Sequence, residues 1–318
     1  MIDRAKVAVI GVGNGVSALL QGIAHYRATG STVGIGRPVL DGFGVGDIDI
    51  VAAFAMSAAK VGTDLAEAIL MPPNNYPRVG TDPPPTGVTV QKGLSDASET
   101  DRVAAALAGA EVLLYAAPSG RPDVARAYAE AALRAGAAFV NTTSDAVARD
   151  PELMARFEAA GLPLLGDDLS AQLGASIVHR ALLRLLEERG LTLDGSYQIT
   201  VGGTEDIRNL AGNGESKTRS KLNAVTSERS TAERVEMAPI GYLAQLGSQK
   251  AAYLNIEARG WAEAPVSLDV KLKVHDASGG AGVVIDLLRM AAGALRAGRG
   301  GHVEAAAPLL KSPPGTAG

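Results

Sequence analysis

Residues 7 to 15 read Val7-Ala-Val-Ile-Gly-Val-Gly-Asn-Gly15, a short apolar run that ends in three closely spaced glycines. The run predicts a buried strand, and the apolar spacing from Ser17 to Tyr26 predicts a helix after it. Glycines between a strand and a helix let the backbone approach a pyrophosphate at the helix N-terminus, where unpaired N–H groups favour anions. Gly11 and Gly13 therefore predict a dinucleotide-binding turn.

The rest of this fingerprint departs from its usual form. Position 16 is a valine, with Gly15 before it and Ser17 after it, so the third small residue is displaced. An acidic residue that would bind the adenosine ribose is expected at the end of the second strand, and Phe54-Ala-Met-Ser57 contains none. A tight turn in an α/β fold that binds no cofactor is the alternative interpretation.

Strands and helices alternate through the first half of the chain, which predicts a doubly wound parallel sheet of the Rossmann type. The predicted strands after the first are Ile48 to Phe54, Glu111 to Ala116, Ala138 to Asn141 and Leu162 to Leu165. The predicted helices between and after them are Ala58 to Leu70, Ser98 to Leu107, Pro122 to Arg134 and Pro151 to Ala159. Glycines between Thr29 and Gly46 and six prolines between Pro72 and Pro85 predict irregular loops.

From Gln172 the pattern changes. A helix to Arg189 precedes three runs with strand character and no helical pattern between them, which predicts a second α+β domain with a mixed or antiparallel sheet. These runs are Tyr197 to Val201, Ala252 to Ala258 and Val266 to Val274, and a last helix is expected over residues 282–297. We expect a Rossmann domain over residues 1–170 and a domain for catalysis and oligomerisation over residues 171–280. The segment from about residue 280 to 318 is expected to pack back on the first domain.

Composition argues against several classes of protein. The 318 residues are 47% hydrophobic, contain no cysteine and carry a formal net charge of −4, so a globular core is expected and disulfides and thiolate metal sites are absent. The sequence has no dense basic run, which argues against nucleic acid as the main partner. The sequence has neither a run of about 18 apolar residues nor a signal-like N-terminus, which argues against a membrane protein. We therefore expect a cytoplasmic protein. The four histidines lack metal-binding spacing, and His179 is interpreted as a packed or capping residue.

Lysine is scarce in this chain. There are 21 arginines but 9 lysines, and none lies between Lys92 and Lys217. Four lysines of the second half stand in polar or Gly/Pro-flanked contexts: Lys217, Lys221, Lys250 and Lys311. An ammonium is a compact charge whose pKa can fall on burial until it exchanges a proton. The four lysines are either solvated surface residues or a catalytic group, and the dinucleotide turn favours a catalytic group.

Many blocks resemble, in order and spacing, the myo-inositol-1-phosphate synthase family in its shorter actinobacterial or archaeal form, over almost the whole chain. In the first half the blocks are Val7 to Asn14, Val51-Ala-Ala-Phe54, Lys60-Val-Gly62, Pro84 to Val90, Ala138 to Asn141 and Gly166-Asp-Asp168. In the second half they are Tyr197 to Gly203, Glu215-Ser-Lys217 with Lys221, Gly241-Tyr-Leu243, Val274 to Ser278, Gly282 to Asp286 and Leu310 to Pro314.

The resemblance implies an internal redox cyclase that acts on a hexose 6-phosphate. In the family, tightly bound NAD oxidises carbon 5, an enolate forms at carbon 6 and attacks the sugar carbonyl, and the hydride returns to carbon 5. Each step places negative charge on oxygen, which a cluster of lysines can stabilise. The resemblance also implies a homotetramer. The composition, as argued above, indicates no nucleic acid or membrane partner.

The same resemblance assigns roles to the four lysines. Lys217 and Lys221 would neutralise the phosphate and the enolate, whereas Lys250 and Lys311 would relay a proton with the carbon 5 oxygen and give electrostatic support. Acids that orient lysines or hold a monovalent or divalent cation near the nicotinamide match Asp168, Asp206 and Asp276, of which Asp168 and Asp276 are the candidate metal ligands. A helix N-cap before Leu169 is the other interpretation of the pair Asp167-Asp168.

The remaining implied site residues bind cofactor or substrate. The cofactor-binding residues are Gly11, Gly13, Asn14, Gly15, Val16, Ala55, Ala117, Pro118, Asn141 and Asp168. The substrate-binding residues are Ala171, Gln172, Gly174 and Thr204.

The chain also departs from the family pattern. Ala55 replaces the ribose-binding Asp, Gly166-Asp-Asp-Leu-Ser-Ala-Gln172 replaces Gly-Asp-Asp-x-Lys-Ser-Gln, Gly202-Gly-Thr204 replaces Gly-Gly-Asn, and Pro118-Ser-Gly-Arg121 replaces Pro-Val-Gly-Ser. Two changes, at Ala171 and Thr204, fall where the family binds substrate. They are either drift or a changed substrate: fructose 6-phosphate would attack its carbon 2 ketone and close a five-membered ring, as in a carbocyclic natural-product pathway. We expect a slight preference for fructose 6-phosphate, with glucose 6-phosphate to inositol 1-phosphate as the family's usual reaction.

Two other functions fit the same motifs. An ordinary NAD(P)-dependent dehydrogenase would share the Rossmann domain and an α+β substrate domain. A non-catalytic regulator that binds a dinucleotide would keep the fold and lack turnover.

Overall fold

The glycine turn joins the first strand and first helix of a parallel sheet. A computed structural model describes residues 4–213, 221–222, 225 and 234–314. Its N-terminal strands are β1 (Ala5–Ile10), β2 (Val39–Leu40), β3 (Phe43–Gly44), β4 (Ile48–Ala55), β5 (Val90–Lys92), β6 (Val112–Tyr115), β7 (Ala138–Asn141) and β8 (Leu164–Leu165). β2 and β3 form a small hairpin, and the other six make one parallel sheet in the order β5-β4-β1-β6-β7-β8. The predicted doubly wound sheet is confirmed.

Helices cover both faces of this sheet. The helices of the described chain are α1 (Asn14–Thr29), α2 (Leu65–Ala68), α3 (Thr100–Ala106), α4 (Pro122–Ala135), α5 (Pro151–Ala159), α6 (Ala175–Glu188), α7 (Glu205–Asn213) and α8 (Asp276–Arg296). Alternate residues of β1 point to opposite layers, as the pleat of a strand requires. Val7 and Val9 belong to the core formed with α1 and α8, whereas Ala8 and Ile10 belong to the core formed with α3, α4 and α5.

The helix predicted over Ala58 to Leu70 is wrong. The chain turns through residues 58–63, and only Leu65–Ala68 is helical. Gly62 has a φ of 91°, which a right-handed helix does not contain. The carboxylate of Asp64 then accepts a hydrogen bond from Ala66 N at 2.8 Å and caps a new helix at Leu65. The other helices of the first sheet lie within a few residues of their predicted bounds.

The second sheet is mixed, as predicted. Its strands are β9 (Thr192–Gly202), β10 (Val235–Met237), β11 (Gly241–Tyr242), β12 (Gln249–Arg259) and β13 (Pro265–His275). Strands β10 and β11 run parallel to one edge of β9, while β12 lies antiparallel between β9 and β13. Helix α6 packs on one face, where Leu183 shares a core with Leu193 and Ile256. Strands β9, β12 and β13 are longer than predicted because they pair with one another along their whole lengths.

The C-terminal part of the described chain returns to the first sheet. Helix α8 packs against α1 and β7, and Ser312 exchanges backbone hydrogen bonds of 2.9 and 3.1 Å with Asp167. Helix α8 has the length and composition of a membrane span, with a mean hydropathy of 1.3, but 61% of that apolar stretch is buried inside the protein. It is therefore the central helix of a core. The division into domains at residue 170 stays a prediction.

A buried arginine joins α8 to the loop that precedes β4. Arg289 is fully buried and donates hydrogen bonds to the carbonyl oxygens of Arg37, Pro38 and Phe43. Its charge is balanced by Asp286, one turn earlier on the same helix, which also accepts a hydrogen bond from the guanidinium of Arg37 at 2.9 Å. A single guanidinium thus satisfies three loop carbonyls.

Replacement of this side chain should be strongly destabilising. We expect Arg289→Met to lower the free energy of unfolding by about 3 to 5 kcal/mol, because it leaves the Asp286 carboxylate and the loop carbonyls without their main donor. Urea denaturation followed by circular dichroism measures this. Arg184→Ala removes an exposed i,i+4 ion pair with Glu188 and should change stability by less than about 0.5 kcal/mol. Equal effects of the two substitutions would contradict the role given to Arg289.

Candidate active site

A cavity of about 460 Å³ lies where the two sheets meet. The carboxyl ends of β1, β4 and β6 form one side of it, which is the edge where open α/β sheets bind ligands. The first residues of α1, α6, α7 and α8 reach its wall: Asn14, Ala175, Glu205 and Asp276. Side-chain hydrogen bonds join the two parts of the chain near the cavity, from Asn75 to Gly203 O at 3.1 Å and from Asn209 to Ser119 O at 3.0 Å.

The glycine turn has two kinds of glycine. Gly11 has a φ of 91°, and a Cβ there would lie 2.6 Å from the carbonyl oxygen of Ala116, so only glycine fits. A Cβ at Gly13 or Gly15 would meet no atom within 4 Å, and both line the cavity. Helix α1 has no side-chain cap and no acid in its first turn, so its N–H groups are available to an anion. The turn thus has the open backbone that a pyrophosphate needs.

The far end of the cavity lies over the carboxyl end of β4. Ala55 lines it and is 6% exposed. It is followed on the wall by Met56 and Ser57, neither of which carries a charge. A ribose bound here would therefore meet no carboxylate from the end of β4. The glycine turn and the end of β4 leave room for a dinucleotide, although the usual carboxylate contact to the ribose is missing.

Two of the predicted lysines form ion pairs. Lys250 Nζ lies 2.8 Å from Asp276 Oδ1, and Lys311 Nζ lies 3.0 Å from Asp168 Oδ1. Both lysines line the cavity with side chains 19% and 13% exposed. Lys250 is placed by β12, whereas Lys311 is placed by the C-terminal segment, since Lys311 N donates to Asp168 O at 2.7 Å. Each ammonium is held toward the cavity by a carboxylate.

The remaining predicted catalytic residues fall into two groups. Lys221 is 5% exposed and lines the cavity, as does Asp206 in the first turn of α7. Lys217 lies outside the described residues. Three of the predicted substrate-binding residues, Ala171, Gly174 and Thr204, are also on the wall, as are the predicted cofactor residues Asn14, Ala117 and Pro118.

Among the residues that the structure describes, four predicted site residues are not on the wall. Val16 and Asn141 are buried, Val16 in the core with α8, and Gln172 donates a hydrogen bond to Gly34 O at 2.6 Å, away from the cavity. Asp168 is fully buried and reaches the cavity through Lys311. The assignment of these residues to cofactor or substrate stays a prediction.

Asp167 and Asp168 do not cap a helix. Helix α6 starts only at Ala175, with Gly174 as its N-cap. The buried Asp167 instead accepts hydrogen bonds from the side chain of Asn141 and the backbone of Val147 and Ala148, and pairs with Arg149. Asp167 thus orders the loop after β7, whereas Asp168 turns toward Lys311.

No cluster of three histidine or acidic side chains with metal-binding geometry occurs within the part of the chain that the structure describes. Asp168 and Asp276 contact ammonium groups instead, and a cation at either residue stays a prediction.

Histidine 179 is a packed residue of α6. It is fully buried, its Nε2 lies 2.7 Å from Ser196 Oγ, and burial lowers its pKa to about 4 despite the neighbouring amide of Gln198. It is neutral at pH 7. The neighbouring Gln198 is itself part of the cavity wall.

The sequence analysis did not identify Lys60, a buried lysine in the cavity wall. Lys60 is 2% exposed and donates to Val12 O at 2.6 Å and to the side chain of Asn74 at 2.8 Å. Both Lys60 and Asn74 line the cavity. Lys60 stood in a segment predicted to be helical, where a lysine would face solvent, so burial was not expected. The scarcity of lysine was the one available signal.

Comparison with known proteins adds sequence evidence. Residues 174–277 match the family model described as myo-inositol-1-phosphate synthase. Over 97% of its length the chain is 40% identical to inositol-3-phosphate synthase of Mycolicibacterium smegmatis, of which it covers 93%.

Solved structures agree with this comparison. The crystal structure of Ari2 is 48% identical and superposes with a TM-score of 0.88, covering 98% of this chain and 93% of Ari2. A myo-inositol-1-phosphate synthase-related protein from Thermotoga maritima, 23% identical, shares the fold with a TM-score of 0.78 over 98% of this chain and 93% of that one.

Proposed function

Because the chain belongs to the myo-inositol-1-phosphate synthase family, we propose that it is an NAD-dependent isomerase that cyclises a hexose 6-phosphate to a cyclitol phosphate. One observation carries this proposal. Lys221, Lys250 and Lys311 line the same cavity as the glycine turn, together with the N-termini of four helices. All of these groups stabilise negative charge. A dianionic sugar phosphate and the oxyanions of an aldol-type cyclisation are the chemistry that such a cavity suits.

The cofactor site would use the glycine turn and the start of α1. Gly13 and Gly15 leave the space for a pyrophosphate, whose charge the N–H groups of α1 would meet. NAD, when bound, would accept a hydride from the sugar and later return it, so that no net oxidation occurs.

The ion-paired lysines suit the steps at the sugar. Lys250 and Lys311 can each donate a hydrogen bond to a developing oxyanion while Asp276 and Asp168 hold the ammonium groups in place. A lysine that moves between protonated and neutral forms would carry the proton of the carbon 5 hydroxyl. Lys221, which is nearly buried in the cavity wall, would neutralise the phosphate or the enolate.

The substrate preference rests on two positions of the wall. Ala171 lacks the hydroxyl and Thr204 lacks the amide that the family pattern has there. A polar contact left unmade in a buried site costs about 1 to 3 kcal/mol, enough to change which hexose phosphate is accepted. We propose fructose 6-phosphate, closed to a five-membered ring, as the preferred substrate, and a place in cyclitol or carbocyclic natural-product biosynthesis.

An open sheet face supports the proposed homotetramer. On the face of the second sheet opposite α6, Tyr197, Ile199 and Tyr253 are each about two-fifths exposed on neighbouring strands. Exposed apolar side chains grouped on a sheet favour contact with another subunit. We propose that copies of the chain associate through this face. A cytoplasmic location stays a prediction.

The lysines provide the first test. Lys221→Ala, Lys250→Ala and Lys311→Ala should each lower the turnover rate by at least about 100-fold with the fold intact, because each removes a preorganised positive charge. NMR of the product measures the rate, and circular dichroism measures the fold. Lys6→Ala, at an exposed position near the start of β1, is the matched control and should turn over normally. Near-normal rates in any two of the three variants would contradict the proposed chemistry.

The glycines separate binding from folding. Gly13→Val should fold, since its side chain enters open space, but should no longer retain NAD. Gly11→Ala should lose stability, because its Cβ would collide with Ala116 O. Calorimetry with NAD and thermal melts distinguish the two. Unchanged NAD affinity in folded Gly13→Val would place the pyrophosphate elsewhere.

The substrate is tested by incubation with glucose 6-phosphate and fructose 6-phosphate separately. NMR of the dephosphorylated product counts the ring carbons, and we expect faster turnover of fructose 6-phosphate to a five-membered ring. Inositol 1-phosphate from glucose 6-phosphate, with fructose 6-phosphate inert, would contradict this preference. Stoichiometric NADH would indicate a dehydrogenase, and binding without consumption of sugar would indicate a regulator.

A further inference from the structure

Lys60 is a buried positive charge without an acidic partner among the residues that the structure describes. It lies in the turn after β4 and is 2% exposed. Its ammonium contacts two neutral oxygens, Val12 O at 2.6 Å and Asn74 Oδ1 at 2.8 Å. Burial lowers its pKa to about 8, so the group is still mostly protonated at neutral pH.

An arrangement of this kind is unusual because a buried charge normally has a charged partner. Removing an ammonium from water costs several kcal/mol, and carbonyl dipoles recover only part of that free energy. Lys250 and Lys311, on the same cavity, each have a carboxylate. Lys60 differs from both because no carboxylate among the described residues balances its positive charge.

The position of Lys60 indicates where the missing negative charge would come from. The lysine lines the cavity together with Ala55, Ser57 and Gly13. It therefore stands between the open glycine turn and the end of β4, where Ala55 supplies no carboxylate that would repel an anion. Its bond to Val12 O also ties it to the turn itself.

We propose that Lys60 is a phosphate-binding residue of the cofactor site. The proposal rests on the proposed function, because the anion it would bind is a phosphate group of the dinucleotide. That phosphate is either part of the pyrophosphate, common to NAD and NADP, or the 2′-phosphate of NADP next to Ala55. In both cases one ammonium proton would bond to a phosphate oxygen while the other two keep Val12 and Asn74 in place.

The test compares the binding of NAD and NADP to Lys60→Met, Lys60→Arg and the unaltered protein by calorimetry. Loss of one charge-assisted hydrogen bond should weaken binding by about 10- to 100-fold. Equal weakening for NAD and NADP assigns Lys60 to the pyrophosphate, and weakening of NADP alone assigns it to the 2′-phosphate. Lys60→Arg, which keeps the charge, should lose less than Lys60→Met.

Three controls keep the outcome clear. Lys92→Met removes an exposed lysine of the neighbouring strand β5 and should leave both affinities unchanged. Asn74→Leu removes the other donor to Val12 O but keeps the charge, so it should affect binding less than Lys60→Met. Lys60→Gln keeps a donor near Val12 without the charge and replaces Lys60→Met should that variant fail to fold.

Unchanged affinity for both dinucleotides in folded Lys60→Met or Lys60→Gln would overturn the proposal. So would an equal loss in Asn74→Leu, because the lysine would then act only by holding the turn. Failure of the unaltered protein to bind either dinucleotide would overturn the proposed function as well. Binding by the unaltered protein that is insensitive to Lys60 would refute only the role of this lysine.

Discussion

The burial of positive charge is the constraint on which this cavity depends. An anionic sugar requires several ammonium groups in one place, yet such groups repel one another and lose hydration when they are enclosed. The fold meets this requirement with different partners for different lysines. Lys250 and Lys311 are balanced by Asp276 and Asp168, whereas Lys60 is held by neutral oxygens. The two arrangements suit different chemistry, because a paired lysine would keep a fixed position near a sugar, whereas one without an acidic partner among the described residues would attract an anion, as we propose for Lys60.

The path of the chain explains how these groups come together. The first strands build the glycine turn, the second sheet supplies Lys250, and the last described segment returns to place Lys311 beside Asp168. Arg289 ties the returning helix α8 to the loop before β4. The return of the C-terminal segment is therefore needed for the site as well as for the core. A cavity made from distant parts of the chain can form only after both sheets have packed, which links its geometry to the stability of the whole fold.

The sequence predicted the architecture well because its strongest signals are local. The turn after β1, the alternation of strands and helices and the mixed second sheet all follow from spacing and turn residues within short windows. The helix predicted over residues 58–70 failed because Gly62 and Asp64 divide the segment, and that error also hid the burial of Lys60. Val16 and Gln172 were predicted from motif position to belong to the site. The structure places Val16 in the core and the Gln172 amide against Gly34 O, so neither lines the cavity, and their roles stay predictions. Burial and pairing depend on contacts across tens or hundreds of residues, which no local pattern contains.

The two departures from the family pattern that we propose to contact substrate, Ala171 and Thr204, change hydrogen bonding more than volume. The Ala171 methyl is packed closely, since a side chain added at Gly279 would lie 3.3 Å from it and one added at Gly174 would lie 3.4 Å from it. The hydroxyl of Thr204 accepts a hydrogen bond from Ile207 N at 3.3 Å and so acts in part as the cap of α7. Small differences in pocket volume discriminate weakly between substrates, whereas a missing hydrogen-bond partner in a buried site discriminates strongly. Under the proposal that these two residues contact the sugar, the choice between sugars that differ in the position of one carbonyl would depend on their hydrogen bonding more than on the size of the cavity.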